Sequence, residues 1–179
     1  MDVPGARWAS MDADASLGEL AYALVRALRP ATVIETGVAH GISSAFVLAA
    51  LADNDLGELH SIDLPPPRMV AADLVGAAIH ADLKRRWHYH WGSARRLLPA
   101  ALAGTVGPRV FIHDSDHSYD HMRWEIETAW AAFEAGDVII CDDANFHAGF
   151  ADAAAAVGGR ALFVRQPASG GLTGMLIRV

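Results

Sequence analysis

Four aspartates stand where two apolar runs stop. Phe111-Ile112-His113 leads into Asp114-Ser115-Asp116-His117-Ser118-Tyr119, and Val138-Ile139-Ile140-Cys141 leads into Asp142-Asp143. Both runs read as buried strands, and in an open parallel sheet ligands bind beyond the carboxyl ends of the strands. Asp114, Asp116, Asp142 and Asp143 gathered there would repel one another, so either their pKa values rise or a cation sits among them. Oxygen ligands of this kind suit magnesium, calcium or manganese rather than zinc. The competing reading makes Asp142-Asp143 a helix cap and Asp114 the start of a turn. It requires two such strand ends in one short chain to be coincidental.

His117 adjoins this acidic cluster, where a neighbouring carboxylate would hold it as a base near neutral pH. A structural role for the same ring is the alternative. The chain's nine histidines, His117 among them, raise the question of a zinc site. His113, His117 and His121 are four apart, but the first lies in a strand, so the three cannot share one helix face. His88 and His90 alternate along a strand and face the same side, with no third ligand evident in the sequence.

A third feature lies upstream. Ala31-Thr32-Val33-Ile34-Glu35 runs into Thr36-Gly37-Val38-Ala39-His40-Gly41, after which Ile42 to Leu51 reads as a helix. Glycines at such a turn let backbone approach a ligand, and the helix that follows offers unpaired N–H groups. The spacing is G-x-x-x-G after an acid, distinct from the dinucleotide fingerprint. Glu58-Leu59-His60-Ser61-Ile62-Asp63 forms the next strand, and an acid at its tip is placed to accept hydrogen bonds from a ribose.

The elements that must position these residues alternate along the chain. Ser16 to Leu28 is helical by its apolar spacing, and Arg29-Pro30 ends it. Leu64-Pro65-Pro66-Pro67 forces a loop before a helical stretch around Ala71 to Leu83. Trp87 to Trp91, Arg109 to His113 and Asp137 to Cys141 supply further strands. Ala161 to Arg165 and Thr173 to Val179 flank Pro167-Ala168-Ser169-Gly170-Gly171 as a terminal antiparallel hairpin. This alternation predicts a doubly wound α/β sandwich of seven strands, mostly parallel. Trp124, Ile126, Trp130 and Phe133 form the buried side of the helix after Asp116, Tyr119, Phe146 and His147 lie near the strand tips, and Trp8 is a candidate lid residue.

The glycine loop, Asp63 and the two acidic motifs together resemble the class I S-adenosylmethionine-dependent methyltransferases. Within them the chain is similar to the small metal-dependent O-methyltransferases that act on natural-product sugars and phenols. The resemblance runs from about Leu20 to Val179 and implies a Rossmann-like sheet closed by the C-terminal hairpin. Glu35 to Gly41 looks like the family's acidic-glycine cofactor loop, with Glu35, Gly37, Gly41 and Ser43 shaping it. Asp63 matches the ribose-binding acid. Trp91-Gly92-Ser93-Ala94 resembles the adenine-contacting segment, where many relatives carry an acid in place of Ser93. Asp114-Ser115-Asp116 matches an acid-x-acid motif whose first member is a metal ligand and whose second is a general base in some relatives. Asp142 and Asp143 match the acids that complete the metal site. The resemblance therefore implies S-adenosylmethionine and Mg2+ or another divalent cation, with Asp116, or else His117, removing the acceptor proton. Relatives usually carry a longer amino-terminal extension over the acceptor than the roughly thirty residues found before the first strand here. A lid from a partner subunit, and hence a homodimer, is one expectation.

Composition limits the alternatives. A chain of 179 residues, 53% hydrophobic and 20% charged, is globular and long enough for a full core, so 1–179 is expected to form one domain with a short helical lead segment. A formal net charge of −7 argues against a nucleic-acid surface, which needs clustered Lys and Arg. No apolar run is long enough for a bilayer and no secretion signal is evident, so the default location is the cytoplasm. Cys141, the single cysteine, reads as a small buried thiol. A metal-dependent hydrolase using the same carboxylates, or a non-catalytic cofactor-binding module, are the rival functions.

Overall fold

The computed structural model describes residues 15–64, 72–105, 107–167 and 169–179. Trp8 and the prolines at 65–67 lie outside them. The sheet has seven strands: β1 (Thr32–Thr36), β2 (Glu58–Asp63), β3 (Trp87–Trp91), β4 (Arg109–His113), β5 (Val138–Cys141), β6 (Arg160–Arg165) and β7 (Leu172–Ile177). Their order is β3-β2-β1-β4-β5-β7-β6, with β7 antiparallel to both β5 and β6 and the other pairs parallel. The doubly wound sheet and closing hairpin expected from the sequence are both present.

Both faces of the sheet are covered, which is why the inner strands read as continuous apolar runs rather than alternating ones. On one face lie α1 (Ala15–Leu28) and α2 (Ile42–Asn54). Leu17, Ala21 and Val25 of α1 recur every four residues, and with Val47, Leu48 and Leu51 of α2 they cover Val33, Val110, Ile112 and Ile140. The other face is covered by α3 (Ala94–Ala103), α4 (Tyr119–Ala132) and α5 (Gly149–Val157). Leu98, Met122, Ile126 and Phe150 there pack on Ile34, Ile62, Phe111 and Ile139. Ile126 and Phe133 are buried, as expected, while Trp124 and Trp130 pack at the margin under the guanidinium groups of Arg95 and Arg178.

The helix expected from Ala71 to Leu83 is instead two short 3₁₀ turns, Ala72–Leu74 and Ala81–Arg86. Between them the chain spends its amides on the glycine loop. Gly76 N–H donates to the Ala39 carbonyl at 3.1 Å and Ala78 N–H to the His40 carbonyl at 2.9 Å. Gly76 has a left-handed φ of 67°, which a continuing helix could not accommodate.

Candidate functional site

Strand periodicity sends neighbouring residues to opposite layers, and at the end of β1 it builds two buried networks. Glu35 points toward α2 and is fully buried. Its carboxylate accepts hydrogen bonds from the hydroxyls of Ser44 and Ser61, the latter at 2.5 Å, and Ser43 adds a further bond. Burial raises the Glu35 pKa to about 7 against the lowering effect of these hydroxyls. Glu35 and Ser43 therefore brace the glycine loop from beneath.

Thr36 points the other way, toward Glu125 of α4. This acid accepts from Thr36 Oγ1 at 2.6 Å, His113 Nδ1 at 2.6 Å, His121 Nε2 at 2.9 Å and Ser115 Oγ at 3.2 Å. Burial would push Glu125 up, but the bonds from His113, His121 and Thr36 outweigh it and hold the pKa at about 2. A buried carboxylate thus ties β1, β4 and α4 together directly beneath the acidic tips.

At the carboxyl pole the strand ends form a continuous row. Gly92 N–H donates to the Asp63 carbonyl, Gly37 N–H to Ile62, Asp114 N–H to Thr36 and Asp142 N–H to His113, each at 2.9 Å. The cofactor-loop glycine is in direct contact with the acidic tip. A Cβ on Gly37, whose φ is 84°, would lie 1.8 Å from the Asp114 carbonyl oxygen. At this position glycine serves the packing of two strand ends. A Cβ on Gly41, whose φ is 79°, would likewise lie 2.9 Å from Gly76 Cα.

Asp63 closes the loop from the β2 side. Its Oδ2 accepts Val38 N–H at 2.9 Å and its Oδ1 accepts Leu64 N–H at 2.7 Å. Burial raises its pKa against these bonds and one from Ala39. With about four acceptor positions on a carboxylate, three N–H groups leave room for about one more donor. Beside it the Tyr89 hydroxyl is buried without a hydrogen-bond partner among the described residues, and burial and then the Asp63 charge raise its pKa. Ser93, the other expected cofactor residue, is exposed at the start of α3, next to Gly92 in the tip row.

Of the expected metal ligands, Asp114 and Asp142 come together. One ligand atom each from Asp114, Asp142 and His117 lie within 4.8 Å of one another. Burial, then the charges of Asp142, Glu35, Asp143 and Asp63, raises Asp114 well above the ordinary carboxylate range. Asp142 rises for the same reasons, burial first and then Asp143, although Gln166 Nε2 donates to its Oδ1 at 2.5 Å. Asp143 is not a member of that group. It has a left-handed φ of 47° at the head of the turn after β5, and its Oδ2 lies 3.4 Å from His117 Nδ1. His117 Nε2 is buried without a hydrogen-bond partner among the described residues, and burial followed by His113 lowers the pKa of the ring.

Asp116, the other residue expected as base, is not in this group. It is exposed, and its Oδ1 accepts Ser118 N–H at 2.9 Å in the turn before α4, which lowers its pKa. Of the two residues expected as base, His117 is the one with a ring nitrogen grouped with the Asp114 and Asp142 carboxylates. His147 is a structural clip, donating from Nε2 to the His117 carbonyl at 2.5 Å and accepting Gly149 N–H at Nδ1. Glu125, Gln166 and Tyr89 are site residues that sequence reasoning missed. For Glu125 the signal was an acid at a buried helical position, three after Met122 and one before Ile126.

The donor chemistry fits a divalent cation: two acids with raised pKa values converge, and an imidazole nitrogen of His117 lies with them. The unpartnered Tyr89 hydroxyl beside Asp63 fits a polar ligand over β2. Among solved structures the fold is similar to an O-methyltransferase from Bacillus cereus in complex with SAH (16% identity, 93% of this chain and 83% of that chain covered, TM-score 0.68). It is similar also to TomG from Streptomyces achromogenes, an O-methyltransferase involved in tomaymycin synthesis, in complex with SAM (18%, 94% and 82%, TM-score 0.69). A third is CalS11, a TDP-rhamnose 3'-O-methyltransferase in calicheamicin biosynthesis (17%, 91% and 78%, TM-score 0.66). No curated protein matches the sequence. A family model described as a methyltransferase domain matches residues 34–144, from the middle of β1 to the turn after β5, and thus the tip row just described. The chain belongs to this methyltransferase-domain family.

Proposed function

We propose that the protein transfers a methyl group from S-adenosylmethionine to a hydroxyl of a small molecule, assisted by a divalent cation. The observation that carries this reading is the tip row. It sets the glycine loop and Asp63 on one side and Asp114 and Asp142 on the other, in contact at Gly37. The similar structures, SAH- and SAM-bound O-methyltransferases and a sugar O-methyltransferase, support the same chemistry.

S-adenosylmethionine supplies the methyl group when bound, and a divalent cation would supply a Lewis acid that lowers the pKa of the acceptor hydroxyl. Asp63 accepts a ribose hydroxyl with its remaining acceptor position, and the loop held by Glu35, Ser43 and Gly41 gives the cofactor its seat. Asp114 and Asp142 hold the cation, two carboxylates being a common protein share for Mg2+. The Asp143 carboxylate, 3.4 Å from His117 Nδ1, favours the tautomer in which Nδ1 carries the proton and Nε2 the lone pair. His117 Nε2 takes the acceptor proton, a step worth about 10²–10⁴-fold in rate. Most of the remaining acceleration comes from holding two bound molecules in line.

Calorimetry with S-adenosylhomocysteine and Mg2+ tests the reading. Asp63→Ala should weaken S-adenosylhomocysteine by about 1–3 kcal/mol, and Asp142→Asn should remove Mg2+ binding while leaving S-adenosylhomocysteine affinity nearly intact. His117→Ala should keep Mg2+ binding. Loss of Mg2+ in that variant would make His117 a ligand instead of a base, and unchanged S-adenosylhomocysteine affinity in Asp63→Ala would remove the ribose assignment. Full-rate methyl transfer after chelation would exclude the cation.

A further inference from the structure

The edge of the sheet carries a second group of ligand-type side chains that this reaction leaves unused. Strand alternation places Glu58, His60 and Ile62 of β2 on the face toward α3. The pairings His60↔His88 and Ile62↔His90 bring two histidines of β3 to the same face. The sequence shows His88 and His90 without a third ligand; parallel pairing with β2 supplies His60 and Glu58. Glu58 begins the strand that Asp63 ends, so along β2 the group lies about 10 Å (His60) to 16 Å (Glu58) from the tip row at roughly 3.3 Å per residue.

The geometry is that of converging ligands. One ligand atom each from Glu58, His60 and His88 lie within 4.8 Å of one another. His88 Nε2 is 2.9 Å from Glu58 Oε2, yet that nitrogen has no hydrogen-bond partner among the described residues. His60 Nδ1 lies 3.1 Å from His90 Nε2. The His60 ring stacks between the other two, with centroids 4.7 Å from His88 and 5.4 Å from His90. Glu58 and His88 have side chains 54% and 42% exposed, so an ion can enter from solvent.

We propose that Glu58, His60 and His88 form a binding site for a borderline divalent transition ion of the zinc class, separate from the carboxylate pair at the strand tips. Imidazole nitrogen with one carboxylate suits zinc, cobalt, nickel or copper and not magnesium or calcium. Three protein ligands leave a fourth position for water. His90 is a positioning residue: its contact with His60 Nδ1 holds that ring and its tautomer, as partners of metal-bound histidines do. Because β3 is the edge strand and pairs only with β2, an ion bridging His88 to His60 and Glu58 fastens that edge to the sheet.

The test uses the full chain without a polyhistidine tag, stripped with a chelator and titrated with Zn2+ by calorimetry and thermal unfolding. An Asp114→Asn, Asp142→Asn double variant removes the other carboxylate pair. Zn2+ should bind that background and raise its melting temperature, while His88→Ala or Glu58→Gln in the same background should abolish the response. His90→Ala should weaken Zn2+ by about 10- to 100-fold. Both Glu58 and His88 are half-exposed, and far-UV circular dichroism confirms folding of each variant. In the background variant Co2+ should give the visible absorption of a tetrahedral site, lost with His88→Ala. Equal Zn2+ shifts with and without His88 and Glu58, or no Zn2+ binding in the background variant, would overturn the proposal.

Discussion

Two buried acids of opposite character flank β1, and each leads to a prediction about pH. Glu125 is held at about 2 by three hydrogen-bonding neighbours against an ordinary value of 4.5, equivalent to about 3 kcal/mol. Its folded pKa is depressed, so that stability is present above pH 4.5 and is lost as pH falls toward 2. Glu125→Gln should destabilise the protein at pH 7 by about 3–5 kcal/mol in denaturant unfolding, because His113 and His121 lose their buried acceptor. A loss under 1 kcal/mol would mean that water replaces the bonds. Glu35 runs the other way. Its folded pKa, raised from 4.5 to about 7, gives a contribution that is whole below pH 4.5 and is lost as pH rises through 7. Glu35→Gln should remove that slope, so the difference in stability between variant and wild type should change between pH 4.5 and 7 and level off above it. Parallel curves would show that Glu35 is not protonated in the folded state.

At the scale of elements the contact between the β1 and β4 ends is the sensitive point. Gly37→Ala must place a methyl against the Asp114 carbonyl from a left-handed backbone, a conformation that alone costs a non-glycine residue about 1–3 kcal/mol. It should lower thermal stability and weaken both S-adenosylhomocysteine and Mg2+, whereas Gly136→Ala, also left-handed but with nothing within 4 Å, should affect stability alone. Equal ligand affinities in the two variants would refute the coupling. The strands themselves were legible: Glu58–Asp63, Trp87–Trp91 and Arg109–His113 end where their apolar runs meet polar or glycine residues. The paired acids stood out because carboxylates at two strand tips have no packing reason to be there. Other parts were not legible for physical reasons. Glu125 shares a helix with Met122 and Ile126 and looks like one more surface acid until β1 and β4 are placed beneath it. Gln166 reaches Asp142 from after β6, across a hairpin whose register no local signal fixes. The 3₁₀ segment after residue 72 fails as a helix because its amides serve the glycine loop, a tertiary demand that propensity does not contain. The third ligand for His88 stayed hidden because parallel pairing joins residues 28 positions apart.

For the whole molecule, the raised pKa values of Asp114 and Asp142 link cation binding to pH. Both groups are raised, so their stabilising protonated forms prevail at low pH and the cation-free protein loses stability as pH rises. A cation must displace those protons, so Mg2+ affinity should increase with pH above the ordinary carboxylate range. Calorimetry in buffers of different ionisation enthalpy should register proton release, and an affinity independent of pH would show that the acids are already ionised. The tip row has one more consequence. Because the amides of Gly37, Asp114 and Asp142 are each tied to the neighbouring strand, their hydrogen exchange should slow together, as one cooperative unit. Two ligands resting on one such unit obey reciprocity: whatever factor Mg2+ adds to the affinity for S-adenosylhomocysteine, S-adenosylhomocysteine must add to that for Mg2+.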